Sequence, residues 1–279
     1  MNKVFEKYKD KHKGERVFLI ANGPSLNKTD LSLLKNENTI AMNRISLIYD
    51  KHEDWRPTYY LFSSTNVKTE KPWAEKWLTS VWEAIDEDKT CSFIASIFKK
   101  YIDPFGNYPN VEWFDSMSEN KPDKDGNIKE TCFSSNVVNR IDKTGTTMNL
   151  ALQLCLHMGF KEIIFVGADL GWKKDLASNN DPNHFTKDYT ADIPRPYKAN
   201  NQMRNVHSLA IKKIHEVDSE VKFYNASAKT VLDVYPIIDF EKYILKNKIV
   251  ERPQDLSIAK AFWDKEPQYS SLTHERESK

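Results

Sequence analysis

The chain has 279 residues, 39% of them hydrophobic and 12% aromatic, which is enough for one large hydrophobic core. Its 41 basic and 40 acidic side chains give a formal net charge of +1, which excludes a global attraction to nucleic acid or to an anionic membrane. Three separated cysteines, no apolar leader and no window of membrane-spanning length predict a cytoplasmic protein without a zinc site, a signal peptide or a membrane span.

The first hundred residues predict strands that alternate with helical crossovers. Residues 1–15 predict a short surface helix that leads into the domain, and the apolar run from Val17 predicts the first strand. Apolar runs that begin at Thr39, Tyr59 and Cys91 predict three further strands. Each run ends in small or polar residues, which is typical of parallel strands in α/β proteins.

The middle of the chain changes from loop to regular structure. Residues 103–143 are rich in proline, glycine and polar residues and predict a loop-rich insert. A nearly all-apolar segment from Met148 to Met158 predicts a buried helix, and Gly159 is expected to end it. Residues 161–169 predict a buried strand directly afterwards, which is the rhythm of a parallel βαβ unit.

The polar, proline-containing segment 173–206 is too long for an ordinary connection and predicts a lid or substrate loop. A helix is expected from His207 to Val217, a strand from Lys222 and another helix near residue 240. We therefore expect one α/β domain, Rossmann-like with a mainly parallel sheet. The expected divisions are a lead-in helix at 1–15, the domain with its lid at 16–245, and a C-terminal helix with a polar tail at 246–279.

Polar residues follow three of the predicted strands. In a parallel sheet the carboxyl ends lie on one edge, where ligands bind, so these residues should converge. The Gly23 to Ser25 backbone is predicted to hold a phosphate, and Asp169 to accept hydrogen bonds from ribose hydroxyls. Ordinary turn and cap chemistry is the alternative for any one of them. The full set is Asn22, Gly23, Pro24, Ser25, Asn43, Arg44 and Asp169.

A second anion site is predicted where the buried helix begins, from the hydroxyls and N–H groups of Thr144, Gly145, Thr146 and Thr147. The alternative is that a threonine simply caps the helix.

Two histidines are candidates for a general base near neutral pH. His184 lies in the segment Asp-Pro-Asn-His-Phe that follows the Asp169 strand, and His207 opens the next predicted helix. The sequence leaves the choice between them open.

Several common chemistries are excluded because the sequence contains no P-loop, no Gly-x-Gly-x-x-Gly fingerprint, no Gly-x-Ser-x-Gly elbow and no His-Glu-x-x-His motif. The acidic pairs Asp86/Asp88 and Asp123/Asp125 are expected to be solvated surface and not a metal site.

The order of four motifs resembles the bacterial family 42 sialyltransferases and their larger relatives, the motility-accessory-factor and 6-hydroxymethylpterin diphosphokinase-like proteins. The motifs are Ile-Ala-Asn-Gly-Pro-Ser-Leu, Ala-Met-Asn-Arg, the Thr-Gly turn that opens a helix, and Met-Gly-Phe-Lys-Glu-Ile-Ile-Phe-Val-Gly-Ala-Asp. The segments Asp-Pro-Asn-His-Phe and Val-Lys-Phe-Tyr-Asn-Ala-Ser resemble a branch of unknown function found near surface-polysaccharide functions. The resemblance covers residues 16–240.

The resemblance implies a Rossmann-like GT-A variant that needs no cofactor and uses a CMP-sugar as donor. The implied reaction is metal-independent, inverting transfer of a sialic-acid-like sugar to a glycan or surface-polysaccharide acceptor, with a histidine base. It implies that Asn22, Gly23 and Ser25 line the CMP phosphate and ribose, that Asn43 contacts the nucleotide and that Thr146 or Thr147 touches the donor. Where that family has tyrosines after the Gly-x-Asp strand, this chain has Leu170, Gly171 and Trp172, which leaves Tyr189 or Tyr197 as substitutes.

Two other functions stay open. In a diphosphokinase that uses ATP and Mg²⁺, Asp169 would hold the metal and Arg44 would supply charge to the phosphates. A non-catalytic nucleotide-sugar-binding protein is favoured if neither histidine faces the cleft. For the leading interpretation the partners are a nucleotide-sugar and a glycan acceptor, with no nucleic acid and no membrane span, and a homo-oligomer is compatible.

Overall fold

The fold is an open, parallel α/β sheet. It is seen in a computed structural model that describes residues 1–63, 74–87, 90–118, 128–172, 181–189, 200–247, 249 and 256–265. Within these ranges the strands are β1 (Arg16–Ile20), β2 (Thr39–Met42), β3 (Tyr59–Phe62), β4 (Cys91–Ala95), β5 (Val111–Phe114), β6 (Glu162–Val166) and β7 (Lys222–Asn225). They form one sheet in the order β5-β4-β3-β2-β1-β6-β7, and every neighbouring pair is parallel.

Helices connect and cover the strands. The α-helices are α1 (Ala74–Ile85), α2 (Lys99–Ile102), α3 (Thr147–Met158), α4 (Asn200–Val217), α5 (Phe240–Lys246) and α6 (Leu256–Trp263). Short 3₁₀ helices lie at Lys3–Tyr8, Pro24–Lys28, Leu31–Leu34, Ile45–Lys51, Ser96–Phe98, Glu130–Cys132 and Lys187–Tyr189. Each of the described helices is too short or too polar to cross a membrane.

The predicted fold class is confirmed. The apolar runs at Thr39, Tyr59 and Cys91 form β2, β3 and β4, and the all-apolar segment forms the buried helix α3. Gly159 ends α3 in the left-handed region, with φ +83°, as its position predicted. Every residue of β2 and β3 is buried, and so is every residue of β6 after Glu162, as expected of a parallel sheet that is covered on both faces.

Two expectations about the elements were wrong in detail. The predicted loop-rich insert 103–143 contains β5, an edge strand of only four residues. Helix α4 begins at Asn200, not at His207, so the end of the predicted lid is helical. The lead-in does contain a short helix, of the 3₁₀ type at Lys3–Tyr8, and its apolar side chains Phe5 and Tyr8 are buried against Phe93. Most of the lid (173–180 and 190–199), the polar tail from 266, Asp88 and the Asp123/Asp125 pair lie outside the described residues.

The strand order reverses direction at β1. The chain builds outward from β1 through β5 on one side, and then returns to place β6 and β7 on the other side. In open α/β sheets the crevice at such a switch point, beyond the carboxyl ends of the strands, is the usual ligand site. Here the crevice is flanked by the residues that follow β1 and β6.

Candidate functional site

The loops that follow β1 and β6 meet in the crevice, as predicted. The Asp169 carboxylate lies inside the Asn-Gly-Pro-Ser turn, where its Oδ2 accepts a hydrogen bond from the Ser25 N–H at 2.7 Å and its Oδ1 accepts one from the Ser25 hydroxyl. The Gly23 N–H donates to the Gly167 carbonyl at 2.9 Å, and Pro24 has no N–H. The turn was predicted to hold a phosphate, and in this structure its anion position is filled by a carboxylate of the chain itself.

Gly23 is glycine because two groups approach it closely. A Cβ atom at this position would lie 2.5 Å from the Gly167 carbonyl oxygen and 2.7 Å from Asp169 Oδ2. The backbone angles of Gly23, φ −70° and ψ 160°, are open to any residue, so space alone imposes glycine.

Gly23→Ala therefore should destabilise the protein through this collision alone. We expect a loss of about 1–3 kcal/mol in the free energy of unfolding, measured by urea denaturation, as is typical of overpacking. A variant as stable as the parent would show that the two loops are not in contact.

The environment of Asp169 changes its acidity. Burial raises the pKa of this carboxyl to about 6, although the hydrogen bonds from Ser25 act in the opposite direction. The loop is held in place by its main chain, because the Asp169 carbonyl accepts from the Val231 N–H at 2.9 Å and from the Thr230 hydroxyl at 3.1 Å. Asp169 therefore changes charge just below neutral pH in a fixed position.

Asn22 carries a buried acceptor without a partner. Its Nδ2 donates to the Met42 carbonyl at 3.1 Å, and within the described ranges its Oδ1 receives no hydrogen bond. An unsatisfied buried carbonyl is costly, and a hydroxyl or amino group of a ligand would satisfy it. Among the predicted binding residues, Asn22 thus offers a buried hydrogen-bond acceptor that a ligand could satisfy.

Asn43 connects β2 to the start of α3. It adopts a left-handed backbone conformation with φ +56°, which asparagine tolerates better than most residues. Its Oδ1 accepts from the Thr147 hydroxyl at 3.4 Å. Thr146 is the N-cap of α3, since its hydroxyl accepts from the Met148 N–H at 3.3 Å. The second predicted site therefore adjoins the first.

The turn before α3 is held by two residues that were not among the predicted site residues, Asp142 and Gln153. Thr144 is fully buried, and its N–H donates to the Asp142 carboxylate at 2.7 Å. Gln153 holds the Asp142 main chain from α3, through its Nε2 to the carbonyl at 2.7 Å and its Oε1 to the N–H at 3.0 Å. Two amides one turn apart in an otherwise apolar helix, Asn149 and Gln153, were the available signal.

Gly145 packs on α4, where a Cβ would lie 2.9 Å from Val206.

Residues 181–189 of the predicted lid lie across the carboxyl end of β1. The Phe185 N–H donates to the Asn22 carbonyl at 3.0 Å, and Asn27 Nδ2 donates to the Phe185 carbonyl at 2.6 Å. The segment is therefore attached to the turn that it covers.

His184 is held in this segment by an acidic partner. Its Nδ1 lies 2.7 Å from Oδ2 of the fully buried Asp181 side chain. Its ring stacks on Tyr189, with centroids 3.7 Å apart and planes at 10°, and meets Trp172 edge to face at 5.0 Å. When Nδ1 carries the proton that is donated to Asp181, Nε2 is the basic nitrogen of the ring. Asp181 was not assigned a role from the sequence, although the Asp-x-x-His spacing was visible.

His207 has a different environment, inside the core between α4 and the sheet. Its Nδ1 lies 2.8 Å from the Tyr235 hydroxyl, and its ring packs edge to face on Phe165 at 5.8 Å. Burial lowers the pKa of His207 to about 4, so the imidazole is neutral near pH 7. The structure thus brings His184, but not His207, into the group formed by the turn and the segment above it.

Tyr189 stacks on His184, and Arg44 contacts Tyr189. Tyr189 is buried, its hydroxyl interacts with the Asn43 side chain, and burial raises its pKa. Arg44 is also buried and donates to the main chain of Tyr189. Tyr197, the other tyrosine considered, lies outside the described residues. In the part of the chain that the structure describes, no three His, Cys, Asp or Glu side chains are grouped to hold a metal ion.

No protein-family model and no curated protein matches the chain. Among solved structures it is similar to the sialyltransferase CstII from Campylobacter jejuni in complex with the substrate analogue cytidine-5'-monophosphate. That likeness has 15% identity and a TM-score of 0.42 over 79% of this chain and 83% of the other. A point variant of sialyltransferase CST-II in complex with CMP has 15% identity and a TM-score of 0.40 over 76% and 81%. Values this low assign neither a family nor an activity.

Proposed function

We propose that the chain is a glycosyltransferase that moves a sialic-acid-like sugar from a CMP-sugar to a hydroxyl of a glycan or surface polysaccharide. The observation that carries the proposal is the Asp181–His184 pair, held beside the switch-point crevice next to a buried acceptor on Asn22 that needs a donor. A base and an unsatisfied binding group at one sheet edge are the two parts that such a transfer needs.

The chemistry would proceed by direct displacement. Nε2 of His184 takes the proton from the acceptor hydroxyl, and the acceptor oxygen forms a bond to the anomeric carbon. The bond from that carbon to the phosphate oxygen breaks, and CMP leaves with the electron pair, so the configuration inverts. Asp181 holds the ring in the required tautomer and stabilises the imidazolium that forms. No step in this scheme requires a metal ion.

The nucleotide would lie along the turn and the start of α3. Asn22 Oδ1 supplies an acceptor, and the side chains of Asn43 and Thr147 line the adjoining edge. Both donors of Ser25 already bind the Asp169 carboxylate, so they are not available to a phosphate. A ligand in this turn would instead contact Asp169. We propose that Asp169 accepts from a ribose hydroxyl, and that the phosphate lies nearer to Thr146 and Thr147.

Ligand binding tests the donor. CMP should raise the melting temperature of the protein, because a ligand that binds only the folded state stabilises it. CDP, UDP and ATP with Mg²⁺ serve as comparisons. Asn22→Ala should weaken CMP binding by about tenfold, the usual contribution of a hydrogen bond to a buried group. Asn107→Ala is the matched control, since Asn107 is exposed and lies shortly before the edge strand β5.

Stabilisation by ATP with Mg²⁺ alone would contradict the proposal and favour a diphosphokinase. The contacts of Arg44 do not favour that alternative, because this guanidinium donates to main-chain carbonyls and to Ser80. A protein that binds CMP but transfers no sugar would instead be a non-catalytic binding protein.

A further inference from the structure

Arg44 is a buried cation that forms no ion pair with any acidic side chain among the described residues. Its side chain follows β2 and is 4% exposed. Burial lowers the pKa of its guanidinium. Taking a charge out of water is expensive unless dipoles replace the lost hydration, so the groups around Arg44 must supply that compensation.

The compensation comes from two separate segments. Nη1 donates to the carbonyls of Asp188, at 3.0 Å, and of Tyr189. Nη2 donates to the Lys76 carbonyl at 3.2 Å, in the first turn of α1, and Nε donates to the Ser80 hydroxyl at 3.0 Å. The guanidinium therefore connects residues 188–189 to α1 across the end of β2.

Aromatic rings complete the enclosure. The guanidinium carbon lies 5.5 Å from the centroid of the Trp77 ring and 5.9 Å from that of Tyr189, distances at which ring and cation attract. Trp77 and Tyr189 also meet edge to face at 6.0 Å. Arg44 thus contacts Tyr189 through both its main chain and its ring.

We infer that Arg44 is a positioning residue. Its hydrogen bonds to residues 188 and 189 act as a latch that holds residues 181–189 against α1 and the end of β2, and this latch keeps His184 in place through the Tyr189 ring. The Tyr189 ring stacks on one face of the His184 imidazole, and Asp181 is hydrogen-bonded to its Nδ1 at the ring edge. If residues 188 and 189 detach, His184 loses the stacked contact of its ring with Tyr189. The role in catalysis rests on the proposed function, but the latch itself does not.

Lysine cannot replace this side chain. Its ammonium is a single point with three donors, whereas the planar guanidinium reaches acceptors on two segments at once. Arg44→Lys preserves the charge and should nevertheless release residues 188 and 189. This makes it a test of geometry and not of charge.

Hydrogen–deuterium exchange measures the latch without any assay of activity. In Arg44→Lys the amides of Phe185 and Tyr189 should exchange about tenfold faster or more, because bonds from a charged donor to two carbonyls are lost. Exchange in β1 and β6 should be unchanged. Arg56→Lys is the matched control, since Arg56 also donates to main-chain carbonyls and lies on a tyrosine, 4.2 Å from the Tyr49 centroid, but does not contact residues 181–189.

Kinetics then separate positioning from simple stability. Arg44→Lys should lower kcat by about tenfold to a hundredfold, with little change in KM for the donor, because a misplaced base affects the chemical step. Ser80→Ala removes the acceptor of Nε and also the bond that the Ser80 hydroxyl donates to the Trp77 carbonyl within α1. It should give the same changes on a smaller scale if Arg44→Lys does not fold.

Unchanged exchange at Phe185 and Tyr189 in both variants would overturn the latch, whatever the activity. Faster exchange with unchanged kcat would overturn the positioning role. Faster exchange in a protein whose parent shows no transfer would support the latch and count against the proposed function instead.

Discussion

His184→Gln should lower the rate of sugar transfer by about 10²–10⁴-fold, the usual contribution of a general base. Binding of CMP should be retained, because the imidazole acts on the acceptor and not on the nucleotide. Asp181→Asn should lower kcat as well, since an amide at 2.7 Å from Nδ1 no longer selects the proton on that nitrogen. The measurement is steady-state transfer to a glycan acceptor, with CMP release as the readout.

His207→Gln is the internal control for this experiment. Its imidazole is enclosed beside Tyr235 and Phe165, so the variant should retain most of the kcat if it is folded. Loss of transfer in a folded His207→Gln together with full transfer in His184→Gln would reverse the assignment. Full transfer in both variants would remove the histidine base from the mechanism.

The stability of the protein in acid should depend on His207. Burial lowers the pKa of His207 to about 4, below its ordinary value of 6.5, so the unfolded chain binds this proton more tightly than the folded chain. The stability due to the neutral imidazole is complete above pH 6.5 and falls as the pH drops towards 4. The difference of about 2.5 pKa units corresponds to a loss of about 3 kcal/mol.

Asp169 should act in the opposite direction over almost the same pH range. Its folded pKa of about 6 lies above the ordinary value of 3.8, so the folded chain binds this proton more tightly. Its contribution is complete below pH 3.8 and is lost as the pH rises through 6. The two groups therefore offset each other between about pH 4 and 6.

Urea denaturation at several values between pH 4 and 7 should separate the two effects. The stability of the parent relative to His207→Gln should fall on acidification, and its stability relative to Asp169→Asn should rise. Each difference should change by about 1.4 kcal/mol per pH unit at most. Two differences that stay constant with pH would show that neither group is buried as described.

The sequence was sufficient to predict the central strands, because β2 and β6 are mostly apolar runs and such runs are typical of buried parallel strands. It was insufficient for β5, whose four residues include a glutamate and lie among prolines and glycines. The start of α4 was misplaced because Asn200, Asn201 and Gln202 have no apolar periodicity. Helical structure there depends on contacts that local sequence does not report.

The sequence predicted at which edge of the sheet the site residues meet, but not which of them contact each other. Parallel topology alone brings Ser25 and Asp169 together, so their convergence followed from the strand pattern. That Asp169 would take the donors of Ser25 depends on a few ångströms of loop geometry. The burial of Arg44 under residues 188–189 depends likewise on a segment that approaches from another part of the chain.

The position of β1 at the switch point also bears on how the chain folds during synthesis. β1 is central in the finished sheet, but its second edge is covered only by β6, about 140 residues later in the chain. Until β6 has emerged from the ribosome, β1 is an edge strand whose backbone groups are unpaired on one side. The second edge of β1 therefore stays unpaired until residue 166 has emerged, and the switch-point crevice is among the last parts of the sheet to form.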